Sequence, residues 1–145
     1  MLPEKKRIIS VLGGQNLLGQ AGRKVDLDQL IRKGFPLGAN RHVKEALGLT
    51  NSQFAKAIGM SERTWARLQK SEKPLPSDAS DRLYRVARLY AFACEVFEDK
   101  KDAARWLQSP QIGLGGRVPL DYMQTEAGAR EVEDLLGRIE YGVLS

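Results

Sequence analysis

The sequence predicts an all-α protein. Helix start and stop signals recur at short intervals from Asp26 to the end of the chain. Between residues 78 and 97, apolar side chains recur every three or four positions, which is the spacing of one helical face. No segment alternates apolar and polar residues for long enough to suggest a strand. The 145 residues suffice for one ordinary domain or for two small helical ones.

Composition narrows the class of protein. Hydrophobic residues make up 42% of the chain and charged residues 28%, which is typical of a globular protein and excludes both general disorder and a membrane protein. Cys94 is the one cysteine and His42 the one histidine, so the sequence predicts neither an internal disulfide nor a zinc site. We expect a protein of the reducing cytoplasm that has no membrane partner, metal or bound cofactor.

The net charge of +5 hides an asymmetry along the chain. Residues 1–94 contain 17 Lys and Arg against 8 Asp and Glu, which is a net charge of +9. Residues 95–145 contain 6 against 10, which is a net charge of −4. The basic part is suited to binding a polyanion such as nucleic acid. The same polyanion would repel the acidic part. The charge distribution therefore suggests two different partners.

An N-terminal arm precedes the first well-marked helices. We interpret residues 1–24 as an arm that ends in a flexible connector, because its second half contains four glycines and few large apolar side chains. Asp26 is expected to cap a helix that runs to Lys33. Asn40 is expected to cap the next helix, which runs to Leu47, and a glycine follows each of the two.

Residues 51–68 contain the strongest local signal in the chain. The sequence predicts a helix over 51–58, a turn at Gly59 and a second helix over 62–68 that Ser61 caps. A helix-turn-helix needs a small residue where its helices touch, a glycine at the turn and apolar inner faces. The small residue is Ala55, and the expected core is Phe54, Ile58, Met60, Trp65 and Leu68.

The second helix of this motif carries polar and basic residues on its outward face. In DNA-binding motifs of this kind the second helix enters the major groove, where arginine can fork onto guanine, while nearby lysines contact phosphates. Such modules usually work as dimers, so we expect a homodimer. An ordinary helical hairpin with a solvated charged face is the alternative. The candidate DNA-binding residues are Ser61, Glu62, Arg63, Thr64 and Arg67, with Lys56 and Lys70 beside them.

The long helix over 78–97 is the centre of the apolar pattern. Cys94 lies within its apolar stripe, which indicates a packed thiol rather than a nucleophile. Three arginines recur along the same helix, and aspartates four residues ahead of the first two favour a solvated, ion-paired face over phosphate contacts. These residues are Asp78 with Arg82, Asp81 with Arg85, and Arg88.

The acidic part continues with further helices. We predict a helix over 100–108, a glycine-rich loop over 111–118, a short helix that Pro119 opens and a last helix that Thr125 caps. The last helix carries one apolar face among charged residues, so it needs a partner surface. That face is formed by Val132, Leu135, Leu136 and Ile139.

Four short motifs lie between residues 104 and 142, and together they indicate a family resemblance. They read Ala104-x-Trp106-Leu107, Leu114-Gly115-Gly116-Arg117-x-Pro119-Leu120-Asp121, Thr125-Glu126-x-Gly128-Ala129 and Leu135-Leu136-Gly137-Arg138-Ile139-x-Tyr141-Gly142. With them the chain resembles the Xre/MbcA/ParS family of antitoxins, the partners of RES-domain toxins. The likeness covers about residues 30–143 and leaves the arm outside.

The resemblance implies a protein with two tasks. An Xre-like helix-turn-helix DNA-binding domain over 25–76 would bind operator DNA and repress the protein's own operon. A small helical toxin-binding domain over 77–145 would cover the active site of a RES-domain toxin. RES toxins are similar in fold to ADP-ribosyltransferases and consume NAD, so the cofactor would belong to the partner and this chain would not be an enzyme.

The end of the last helix is the candidate contact with the toxin. An apolar stripe continues from Ile139 to the carboxyl terminus, and a monomer is expected to leave it in water. We expect the toxin to bury this stripe together with the face of Val132, Leu135 and Leu136, and we expect the tail to dock over the NAD cleft. The tail residues are Tyr141, Gly142, Val143 and Leu144.

Three alternatives stay open from the sequence. In the first, the tail folds back onto its own domain instead of meeting a toxin. In the second, the protein is a stand-alone transcription regulator whose acidic part only mediates dimerisation. A small enzyme is the weakest alternative, because no group of residues forms a catalytic constellation.

Overall fold

The computed structural model describes residues 3–19 and 24–142. Within these ranges the only extended pairing is an isolated bridge between Gln111 and Arg117, so the predicted all-α fold is confirmed. No helix in the described ranges is long and apolar enough to cross a membrane. The helices are α1 (Lys5–Val11), α2 (Gln15–Leu18), α3 (Leu27–Lys33), α4 (Leu37–Leu47), α5 (Asn51–Ala57), α6 (Glu62–Ser71), α7 (Ser77–Phe97), α8 (Lys100–Leu107), α9 (Pro119–Tyr122) and α10 (Glu126–Glu140), with a 3₁₀ turn at Ile112–Leu114.

Helix α7 crosses the middle of the molecule. It packs against α1, α3, α5, α8 and α10, and the consecutive residues 89–93 are all buried. Five consecutive residues point in all directions around a helix axis, so this part of α7 is surrounded by other helices on every side. The helices before and after α7 therefore share one apolar core.

Local capping signals place several helix starts where the sequence predicts them. The side chains of Asp26, Ser61 and Thr125 each accept a hydrogen bond from the backbone N–H three residues later, at 3.1, 3.0 and 3.1 Å. These bonds satisfy N–H groups that have no partner inside the helix. Helices α3, α6 and α10 therefore begin directly after their predicted caps.

The predicted cap at Asn40 is wrong. Helix α4 begins at Leu37, directly after Pro36, so Asn40 lies inside the helix. Leu37, Val43 and Leu47 are buried on α4, and the burial of this apolar series outweighs the preference of asparagine for a cap. Asn40 is itself fully buried, and neither polar atom of its amide has a hydrogen-bond partner among the residues that the structure describes.

The flexible connector predicted for the arm is also wrong over residues 13–19. Gly13 and Gly14 have φ angles of 111° and 90° and form the tight turn between α1 and α2. Ile8, Leu12 and Leu18 are buried in the core, so burial of these apolar side chains holds the arm in place. Residues 20–23 lie outside the described ranges.

Polar contacts also attach the arm to the body of the protein. Arg7 Nε lies 3.1 Å from a carboxylate oxygen of Glu95 on α7. His42 Nδ1 on α4 lies 3.0 Å from the carbonyl oxygen of Val11. The arm is therefore a structural part of the fold.

The arginines of α7 are ion-paired as predicted, but two of them are not solvated. The side chains of Arg85 and Arg88 are only 11% and 14% exposed. Both cross to α10, where Arg85 Nε lies 3.3 Å and Arg88 Nη2 3.5 Å from the carboxylate of Glu126. Arg85 also donates to the carbonyl of Gln124 at 2.8 Å. These charged partners compensate for the burial of Arg85 and Arg88, so the two arginines can face α10 instead of water.

Candidate functional site

Helices α5 and α6 meet through an apolar contact. The rings of Phe54 and Trp65 lie 4.9 Å apart between centroids, and both side chains are buried. Ala55 and Ile58 are buried beside them, while the expected core residues Met60 and Leu68 are partly buried. This contact has the composition that a helix-turn-helix requires.

Local hydrogen bonds fix how α6 leaves the turn. Gly59 has a φ of 75°, a left-handed conformation that glycine adopts without strain, and Thr50 closes a capping box at the start of α5. The indole N–H of Trp65 donates to Oδ1 of Asn51 at 3.3 Å. The orientation of α6 is therefore determined by its packing against α5.

The outward face of α6 is exposed. Arg63, Arg67 and Lys70 lie on it, and none of the three forms an ion pair with any carboxylate in residues 3–19 and 24–142. Ser61 serves as the cap, and its hydroxyl also donates to Thr64 Oγ1 at 2.8 Å. Glu62 is exposed in the first turn. The face therefore presents cations that no carboxylate of the described residues neutralises.

Lys56 on α5 has a different environment from Lys70 on α6. Its Nζ lies 3.5 Å from a carboxylate oxygen of Asp121 on α9, and the two side chains are 66% and 49% exposed. The structure thus brings this predicted phosphate contact beside a carboxylate of the acidic part. No short sequence pattern indicated this pairing.

The apolar face predicted on α10 is not in water. Val132, Leu135 and Leu136 are at most 8% exposed, because α10 packs on α7 and the loop over 111–117 lies against Leu135. The expectation that the toxin buries these three side chains is therefore wrong, because the rest of the chain already buries them. Tertiary burial already provides the partner surface that the last helix needs.

The exposed end of α10 is smaller than the sequence suggests. Ile139 is partly buried, whereas the side chain of Tyr141 is 63% exposed. Gly142, with a φ of 72°, follows it. Val143 and Leu144 lie outside the described residues. Of the described candidates for the toxin contact, Tyr141 and Gly142 are accessible.

One exposed apolar residue was not singled out from the sequence. Ile112, at the start of the 3₁₀ turn, is 97% exposed. Three of residues 112–116 are glycines, and Ile112 has no apolar residue three or four positions away; this pattern was the available signal.

A polar cluster lies in the same part of the chain. The guanidinium carbon of Arg117 lies 4.5 Å from the ring centroid of Tyr122, which is the geometry of a cation–π contact. The Tyr122 hydroxyl donates to the carboxylate of Glu131 at 2.5 Å, and this hydrogen bond raises the pKa of Tyr122. The cluster joins the loop, α9 and α10.

The single thiol lies in a packed environment. Cys94 is half-buried against the core and lines a cavity of about 260 Å³ between the arm and α7. Burial raises the pKa of Cys94, so its thiol is protonated at neutral pH. Within the described residues, no group of His, Cys, Asp and Glu side chains is arranged to hold a metal ion.

Two family models match the chain. Residues 26–88 match the antitoxin Xre-like helix-turn-helix domain, which includes α5 and α6. Residues 93–142 match the antitoxin Xre/MbcA/ParS C-terminal toxin-binding domain, which includes the loop over 111–117 and α10. The first model extends into α7, and the second begins near the end of that helix.

The chain is also similar in sequence to curated antitoxins over most of their length. The antitoxin Xre of Yersinia enterocolitica is 32% identical over 86% of this chain and 85% of its own. The antitoxin Xre of Photorhabdus laumondii is 29% identical over 82% and 81%. A Prs ADP-ribosylating antitoxin of Sphingobium sp. is 26% identical over 83% and 82%. The chain therefore belongs to the Xre/MbcA/ParS family of antitoxins, with a helix-turn-helix DNA-binding module and a C-terminal toxin-binding domain.

Proposed function

We propose that this antitoxin neutralises a RES-domain, NAD-consuming toxin with the end of α10 and represses its own operon through α6. The observation that carries the proposal is Tyr141, which is 63% exposed at the end of the toxin-binding domain. An aromatic side chain offers a large apolar surface and a polar hydroxyl, a combination that is frequent at the centre of interfaces.

Occupation of the NAD cleft is the proposed means of neutralisation. Tyr141 and the residues after it enter the cleft and exclude NAD by volume. Exposed carboxylates precede them on α10, at Asp134 and Glu140. A site that binds a pyrophosphate commonly uses basic residues, which these carboxylates complement. The name of the Sphingobium relative, a Prs ADP-ribosylating antitoxin, supports a partner that uses NAD as a source of ADP-ribose.

Repression is assigned to the exposed cations of α6. Arg63 and Arg67 read base edges in the major groove, and Lys70 contacts a phosphate. A homodimer places two copies of α6 on successive half-sites of the operator. The family match over 26–88 supports a DNA-binding role for this part of the chain.

The test is co-expression with the product of the neighbouring gene, which the proposal expects to be a RES-domain toxin. A protein that lacks residues 141–145 is expected to stay folded and to bind operator DNA, yet to leave cells unprotected. Arg63→Ala is the matched control, because it should protect cells like the wild type while its operator affinity falls. Full protection by the truncated protein would show that the tail is not the inhibitory element. Failure of the wild-type protein to protect cells would overturn the antitoxin–RES pairing itself.

A further inference from the structure

We propose that Ile112 is the apolar anchor with which the toxin-binding domain docks on its toxin. The inference rests on the proposed antitoxin function but not on the tail mechanism. It assigns the contact to the loop over 111–117, at a different place in the domain from Tyr141. The expected partner surface is an apolar pocket of the toxin that accepts one branched aliphatic side chain.

Exposure of Ile112 is extreme for a residue of its kind. Among the described residues, three large hydrophobic side chains are classed as exposed: Leu17 at 40%, Tyr141 at 63% and Ile112 at 97%. Ile112 therefore contributes almost nothing to the core. Single exposed aliphatic residues occur on many surfaces, so the inference also needs the geometry of the loop.

The loop that carries Ile112 is held by its own hydrogen bonds. The backbone N–H of Gln111 donates to the carbonyl of Arg117 at 3.0 Å, and that of Gly116 donates to the carbonyl of Gln111 at 2.9 Å. The side-chain amide of Gln111 donates to the carbonyl of Trp106 at 3.0 Å. The loop is ordered before it meets a partner, which reduces the entropy lost on binding.

Packing beneath the loop fixes its position on α10. Leu114 is buried at 5% exposure, and a Cβ on Gly113 would lie 2.7 Å from Cδ1 of Leu135. Ile112 points away from this contact, since it is almost fully exposed. The loop thus turns one aliphatic residue inward, at 114, and presents another at its surface.

The location of the loop identifies the occupant as the toxin. Residues 93–142 match the toxin-binding domain of the family, and Ile112 lies inside that segment. Arg117 pairs with Gln111, the residue before Ile112, so the polar Arg117–Tyr122–Glu131 cluster begins beside the anchor and extends to α9 and α10. An apolar centre with a polar rim is the usual anatomy of a protein–protein contact. A second copy of this chain is the other possible occupant, and the test separates the two.

The test uses the full-length protein and the purified toxin. Ile112→Asp is expected to weaken toxin binding by about 10- to 100-fold in calorimetry, because a buried aliphatic anchor is lost and a charge is buried instead. Its melting temperature and operator affinity should equal those of the wild type, since Ile112 is outside the core. Ile112→Leu should keep binding within about threefold, because it preserves the apolar volume.

A matched control separates the anchor from the added charge. Ala127→Asp makes the same apolar-to-acidic change at an exposed position of α10 and should bind the toxin like the wild type. Wild-type affinity of Ile112→Asp, or equal losses for the two variants, would overturn the role of Ile112. A loss of self-association in place of toxin binding would assign the loop to a second copy instead. If the wild-type protein itself does not bind the toxin, the proposed function fails, which is a different outcome from either of these.

Discussion

Lys56 of α5 and Asp121 of α9 form an ion pair at 3.5 Å, and this pair joins the helix-turn-helix to the toxin-binding domain. A second link lies nearby, where the side-chain amide of Gln108 donates to the carbonyl of Leu47 at 2.7 Å. A lysine that faces DNA would interact with a phosphate, and the carboxylate beside it repels the same phosphate. The acidic domain therefore reduces the positive potential of the DNA-binding module at one identified residue.

Asp121→Asn should strengthen operator binding. Removing the carboxylate frees Lys56 for a phosphate, and because an exposed pair is weak in water, the gain is expected to be about two- to fivefold. Binding measured over a series of salt concentrations should also show a steeper salt dependence, by about one phosphate contact. Lys56→Ala in the same background should abolish the gain. Unchanged affinity and unchanged salt dependence of Asp121→Asn would show that Lys56 does not contact DNA.

Arg63→Ala and Arg67→Ala should each weaken operator binding and relax the base preference. Both side chains are exposed and unpaired on α6 within the described residues, so the expected loss is about 1 to 3 kcal/mol for a base contact. Lys70→Ala should weaken binding to all sequences about equally, since a phosphate contact carries no sequence information. Fluorescence anisotropy with operator and scrambled DNA at matched salt measures both effects. Wild-type affinity of both arginine variants would mean that α6 does not read the operator.

Two glycines of α10 should respond to alanine in opposite directions. A Cβ on Gly128 would lie 1.8 Å from the carbonyl oxygen of Tyr122, so Gly128→Ala must push α9 and α10 apart. We expect it to lower the free energy of unfolding by more than about 2 kcal/mol. A Cβ on Gly137 meets no atom within 4 Å, so Gly137→Ala should raise stability by about 0.5 to 1 kcal/mol through helix propensity. Urea denaturation measures both, and equal effects would contradict the close contact at Gly128.

Asn40→Leu should stabilise the fold. The buried amide of Asn40 has no hydrogen-bond partner in the described structure, and leucine has nearly the same shape without the polar atoms. Removing an unsatisfied buried group is expected to raise the free energy of unfolding by about 1 to 3 kcal/mol. Thermal and urea unfolding of the two proteins test this. A clear loss of stability would show that the amide makes a hydrogen bond in solution.

Cys94 should react slowly with iodoacetamide in the native protein. Burial raises the pKa of the thiol, so at pH 8 a smaller fraction is thiolate than in an unfolded chain, and only the thiolate reacts. The rate should increase as the pH is raised beyond the ordinary thiol range, and it should increase at constant pH when urea unfolds the protein. Equal native and unfolded rates at pH 8 would contradict the packed environment.

The helices and the exposed face of α6 could be predicted because their signals are local. Asp26, Ser61 and Thr125 cap helices by contacts that span three residues, and Gly59 turns the chain by its own backbone conformation. Asn40 resembles such a cap, yet it lies inside α4, because its surroundings are set by apolar residues along the whole helix. Capping preference is small compared with the burial of several large side chains.

The sequence by itself determined the all-α class, the helix-turn-helix and the family, through caps, periodicity and short motifs that depend on a few neighbouring residues. Tertiary structure alone decided which apolar residues stay accessible. Val132 and Leu136 are buried by α7 and its neighbours, whereas Ile112, in a loop with no helical period, is left in water. The tertiary structure also brought Lys56 beside Asp121, which lies 65 positions later in the chain. Periodicity shows that a helix has an apolar face, but the partner of that face is set by contacts between segments distant in sequence, which no local pattern encodes.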